Sequence, residues 1–177
     1  MEKQNMSDNN SPWESFDKST LLEIIDDFAK NWLAHDGLWF QAMESKYGLE
    51  AAIEADIEAW RRFSPIEAKR IMKRHHIPDN GGIPALVKAL GLRMYARLNK
   101  QQILEETDQR VIFQMNDCRV QSARTRKGMP LFPCKPVGIV EYESFAKAID
   151  PKIKTKTIRC PPDEFNGECY CAWEFTI

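Results

Sequence analysis

The spacing of apolar residues changes once along this chain, near Asp108, and that change limits the fold more than any other feature. Before it, apolar residues recur at helical intervals. Leu21, Leu22, Ile24, Ile25, Phe28, Ala29, Trp32 and Leu33 form one stripe, with Ser19 and Thr20 as candidate caps. His35-Asp36-Gly37 reads as a break, after which Asp36 caps a short helix with Leu38, Trp39, Ala42 and Met43. Ile53, Ile57 and Trp60 mark a third helix. Ser64-Pro65-Ile66-Glu67 resembles a start signal, with cap, proline at the first helical position and capping-box glutamate. The loop Ile77 to Gly82 precedes what reads as the longest helix, from about Pro84 to Leu98.

After Asp108 the pattern alternates. Val111, Phe113 and Met115 interleave with Gln114 and Asn116, and Val120 to Thr125 reads as a continuation of extended chain. Six of the ten prolines lie between Pro130 and Pro162, marking rigid turns. Among them Gly138 to Ile149 has helical period, and Lys154 to Cys160 and Glu168 to Ile177 read as strands. The expected fold is α+β, a helical N-terminal two-thirds packed on a small antiparallel sheet from the C-terminal third. Residues 1–12 are polar and expected as a disordered tail, leaving residues 13–177 as one domain.

The net charge of −1 argues against a nucleic-acid binder or a membrane-surface protein, but it conceals a division. Residues 14–58 hold eleven acids and three bases, whereas residues 118–159 hold ten bases and three acids. The second half could present an anion site, or two faces could meet in a homodimer, or each could be a solvated surface. Arg119 and Arg124, expected beside a strand, suit a carboxylate or phosphate. Lys154 and Lys156 suit the wet face of an edge strand. No stretch is apolar enough for a signal peptide or membrane span, so a cytoplasmic location is expected.

All five cysteines lie in the last 60 residues, at positions 118, 134, 160, 169 and 171. Tight C-x2-C pairs are absent, which disfavours a zinc ribbon and disfavours an iron–sulfur cluster further. Cys169 and Cys171 share parity with Trp173 and Phe175 and read as core. Cys134 and Cys160 sit in proline turns beside Lys135 and Arg159, cations that favour thiolate and hence zinc ligation or nucleophilicity. The candidate metal set is Cys134, Cys160, Cys118 and Cys171. The candidate ligand-binding set is His35, Trp39, Arg119, Arg124 and Lys135, and the expected ligand a small anion. His75 and His76 read as a helix end. No phosphate loop, nucleophile elbow or zinc-protease motif occurs.

Asn31-Trp32-Leu33-Ala34-His35-Asp36-Gly37-Leu38-Trp39-Phe40, Cys118-Arg119-Val120-Gln121, Phe132-Pro133-Cys134-Lys135, Cys160-Pro161-Pro162-Asp163 and Tyr170-Cys171-Ala172-Trp173-Glu174-Phe175 together resemble a prokaryotic domain-of-unknown-function family of cytosolic proteins, from about Trp13 to the end. Cys134, Gly138, Cys160, Cys171 and Phe175 are more distantly similar to L-2-amino-thiazoline-4-carboxylic acid hydrolases and vinyl-4-reductase-like ligand-binding domains. That resemblance implies helices packed on an antiparallel sheet, a pocket between them, often a dimer, and zinc at the cysteines. The expectation is therefore a small-molecule- or metal-binding domain, with a hydrolase acting on a small anionic thiazoline acid as the alternative.

Overall fold

The computed structural model describes residues 11–165 and 167–177, so the expected N-terminal tail lies almost wholly outside the described residues. Among these the chain is α+β, with six α-helices and four strands. The strands are β1 (Lys100–Leu104), β2 (Arg110–Asp117), β3 (Lys154–Arg159) and β4 (Cys171–Thr176), in one antiparallel sheet of order β1-β2-β4-β3. β2 and β4 are central because both faces of their pleat are used. Val111, Phe113 and Met115 pair with Phe175, Trp173 and Cys171, and all six are buried. On the other face Arg110 Nε donates to Glu174 Oε1 at 2.6 Å. β3 is an edge strand with Lys154 and Lys156 exposed, as its alternation predicts. β1 begins with the polar Lys100-Gln101-Gln102 and shows no alternation; it forms because β2 offers an open hydrogen-bonding edge.

The helices are fewer and longer than the breaks suggest. α1 (Lys18–Tyr47) runs unbroken through His35-Asp36-Gly37, and Asp36 is mid-helix, not a cap. Its actual N-cap is Asp17, whose carboxylate accepts from Thr20 N at 2.8 Å. α2 (Leu49–His75) likewise passes through Pro65. Proline removes one backbone bond, but Ala68, Ile71 and Met72 bury the following turns against the core and offset that loss. It ends as expected near the histidines, with His76 in the left-handed region. The expected long helix divides into α3 (Gly82–Leu90) and α4 (Tyr95–Leu98), because the intervening turn carries Arg93 into the core. Val120 to Thr125 is helix α5 (Arg119–Arg126), not strand, so Arg119 and Arg124 are helical and Cys118 is its N-cap residue. α6 (Lys135–Ile149) matches the expected helix and starts three residues earlier.

α6 lies on the buried face of the sheet, and α2 packs along α6. The approach is close at Gly138, where a β-carbon would sit 2.8 Å from the Trp173 ring. Tyr142, one turn on, has its ring centroid 4.8 Å from that of Trp173. A second cluster joins α1 and α2 through Trp32, Trp60, Phe63 and Tyr95. Between the clusters Arg93 is 2% exposed. Its Nε donates to Glu67 Oε2 of α2 at 2.9 Å, and Nη2 lies 2.8 Å from that oxygen and 2.7 Å from Glu141 Oε1 of α6. Neither Nη2 contact is a hydrogen bond, so charge attraction holds both. Four rings, of Trp60, Tyr95, Tyr142 and Phe145, surround the guanidinium. No helix among the described residues is long and apolar enough to cross a membrane.

Candidate functional site

A cavity of about 430 Å³ lies between α1, α2, α5, α6 and the sheet, within the size range of small-molecule sites. Its apolar wall includes Phe40, Trp60, Tyr95, Phe132, Tyr142 and Trp173. Trp60, Tyr142 and Trp173 come from faces that helical or strand period assigned to the core, and Phe132 comes from a loop. What the period did not bring forward is that acids share those faces. Asp36 lies one turn from both Trp32 and Phe40 on α1, Asp56 one turn before Trp60 on α2, and Glu141 one turn before Phe145 on α6. An acid at a core position of an apolar stripe is the signal that would have found them.

Asp36, Asp56 and Glu141 all line the cavity. Burial pushes the Asp56 carboxyl up to about 7; repulsion from Asp36 and Glu141 adds to it, and the Trp60 indole works the other way. Burial also raises Asp36, against the pull of His35. Glu141 is raised by burial despite Arg93. Arg93 is already shared between Glu67 and Glu141. Asp36 and Asp56 therefore face the cavity without an ion pair among the described residues. Trp173 adds a buried indole Nε1 with no partner. Of the lining bases, Lys30, Arg119, Arg126 and Lys127 are exposed and put positive charge at the rim, whereas Arg124 is buried.

The expected ligand-binding residues divide. Arg119 lines the cavity, and its backbone N–H bonds Asn99 Oδ1. Arg124 also lines it, but its guanidinium is engaged by both Glu44 oxygens at 2.9 and 3.2 Å and by Pro130 O at 2.8 Å. That fork ties α5 to α1. Lys135 is not a lining residue; its Nζ lies 2.9 Å from both Asp163 oxygens. His35 and Trp39 are exposed and do not line the cavity, because an unbroken α1 puts them on a different face from Trp32, Asp36 and Phe40.

The four cysteines of the expected metal set all line the cavity. Cys134 Sγ is 3.5 Å from Cys160 Sγ. Cys171 is the next sulfur beside Cys160, and Cys118 neighbours Cys134 and Cys171. The Cys134 thiol is held below the usual range by hydrogen bonds from Cys160 and Gln121, against the effect of burial. Cys160 is raised by the same contact with Cys134, and burial pushes Cys118 up to about 12. Among the described residues, no three or more His, Cys, Asp or Glu side chains are grouped to hold a metal ion.

Fold and cavity together define an α+β domain with a ligand-sized chamber walled by aromatic rings, carboxylates and thiols. The chain belongs to the family of unknown function DUF6125, whose model matches residues 14–177. No curated protein and no solved structure matches the chain. The family match bears out the domain-of-unknown-function resemblance, while the likeness to thiazoline hydrolases and vinyl-4-reductase-like domains gains no support from these comparisons.

Proposed function

We propose that the protein is a small-molecule-binding domain whose ligand occupies the cavity, with an amine directed to Asp36 and Asp56 and an anionic group at the rim beside Arg119. The observation that carries this reading is the pair of carboxylates that form no ion pair among the described residues, inside an aromatic chamber. Aromatic faces attract organic cations, and two repelling carboxylates gain most from an ammonium between them. The small anion expected from the basic half becomes one end of an amphoteric ligand, because Arg124 and Lys135 already hold Glu44 and Asp163. Trp173 Nε1 supplies a donor for a ligand oxygen, or for a bridging water.

Calorimetric titration with matched aromatic compounds tests this: an amino acid, the corresponding amine, and the corresponding carboxylic acid without the amine. The amine-bearing pair should bind, and the acid should not. The double variant D36N/D56N should lose at least about tenfold in affinity, which is about 1.4 kcal/mol. Binding of the amine should release protons at about pH 6, because a cation beside Asp56 favours its ionised form. Equal binding of the amine-free acid, or an unchanged double variant, would overturn the reading.

A further inference from the structure

The cavity wall also holds a close pair of thiols that ligand recognition leaves unused. Cys134 ends the proline-rich loop before α6, and Cys160 directly follows β3, 26 residues later. Two contacts hold these two segments together, and a third braces the second segment. Lys135 Nζ bridges to Asp163, Lys135 N–H bonds Pro161 O at 2.8 Å, and Cys160 N–H bonds Asp163 Oδ2 at 3.1 Å. The sulfurs are thus fixed 3.5 Å apart, about 1.5 Å more than a disulfide bond, a gap that side-chain rotation covers. The two differ in access. Cys160 is 1% exposed, whereas Cys134 is half-buried at the first turn of a 15-residue helix. Gln121, whose amide also bonds the backbone of Phe132, directs an N–H to Cys134 Sγ at 3.5 Å.

We propose that Cys134 and Cys160 are a redox dithiol that exchanges with low-molecular-weight disulfides entering the cavity, Cys134 attacking and Cys160 resolving. The Cys134 thiolate attacks one sulfur of the small disulfide, whose S–S bond breaks and releases one small thiolate, which takes up a proton. Cys160 then loses its proton, and its sulfur attacks Cys134 in the mixed disulfide, expelling the second small thiol. In sum the small disulfide is reduced to two thiols and the protein pair is oxidised to one disulfide. The hydrogen bonds into Cys134 Sγ stabilise the attacking thiolate, and its position at a helix N-terminus acts in the same direction. This site stands on the sulfur geometry and is independent of which ligand the carboxylates take.

The test incubates reduced full-length protein with oxidised glutathione, counts free thiols and maps cross-linked peptides by mass spectrometry. The expected result is the loss of two of the five thiols, with the cross-link between Cys134 and Cys160, reversed by a reductant. C160A should arrest at a mixed disulfide on Cys134, and C134A should retain its remaining thiols. The wild-type map needs no variant, so a destabilised C160A leaves the test intact. Five persistent thiols, or a cross-link from Cys171 or Cys118, would overturn the proposal. Amine binding by protein that shows no exchange would refute this site alone and leave the ligand reading standing.

Discussion

Replacing Asp56 with asparagine should stabilise the protein at high pH and not at low pH. The carboxyl sits at about 7 in the folded chain against an ordinary 3.8. A folded-state value above the unfolded one means that the folded chain binds more protons between about pH 4 and pH 7. Stability from this group is therefore fully present below about pH 4 and is lost as pH rises through about 7. A gap of about 3 pH units, at about 1.4 kcal/mol each, corresponds to up to about 4 kcal/mol. Solvent reaching the half-buried carboxyl reduces that figure. Asparagine stays neutral throughout, so D56N should gain up to about 4 kcal/mol relative to wild type between pH 4 and pH 8. Any cost of fitting the amide shifts the whole curve by a constant and leaves this slope. Urea unfolding of both proteins at matched pH values, with equal slopes in denaturant, gives the difference directly. A difference that is flat with pH, or that favours wild type more at pH 8 than at pH 4, would refute the argument that burial and repulsion act on Asp56.

Three further outcomes follow from packing. Gly138→Ala should cost about 1–3 kcal/mol, because its β-carbon would meet the buried Trp173 ring at 2.8 Å; urea unfolding checks this, and an unchanged midpoint would contradict the close approach. Gly37→Ala should stabilise by about 1 kcal/mol, since the glycine is mid-helix and a β-carbon there meets nothing within 4 Å; a lower melting temperature would count against it. Arg93→Met should destabilise by about 3–5 kcal/mol at pH 7 by leaving Glu67 and Glu141 buried without their cation. The loss should shrink as pH falls and the Glu141 carboxyl, raised by burial, protonates, and a loss independent of pH would show that packing alone carries the arginine.

The sequence by itself determined the α+β class, the buried faces of β2, β4 and α6, and the edge position of β3, because those depend on apolar period. It also located Cys134 and Cys160 in rigid turns, although their pairing was open until Lys135 and Asp163 brought two turns together. Local signals misled where packing outweighed them. Gly37 and Pro65 each weaken a helix by a few kcal/mol at most, which the packing of Trp32 and Phe40 on α1 and core burial along α2 offset. Arg119 to Arg126 alternates weakly and is helix, a form in which Gln121 and Arg124 find buried partners. Continuity of α1 then decided the site, turning His35 and Trp39 outward and Asp36 inward. Tertiary structure alone placed Asp36 near Asp56, Arg93 between two glutamates, and Cys134 against Cys160. Those meetings depend on distances between segments far apart in the chain, and no local spacing records them.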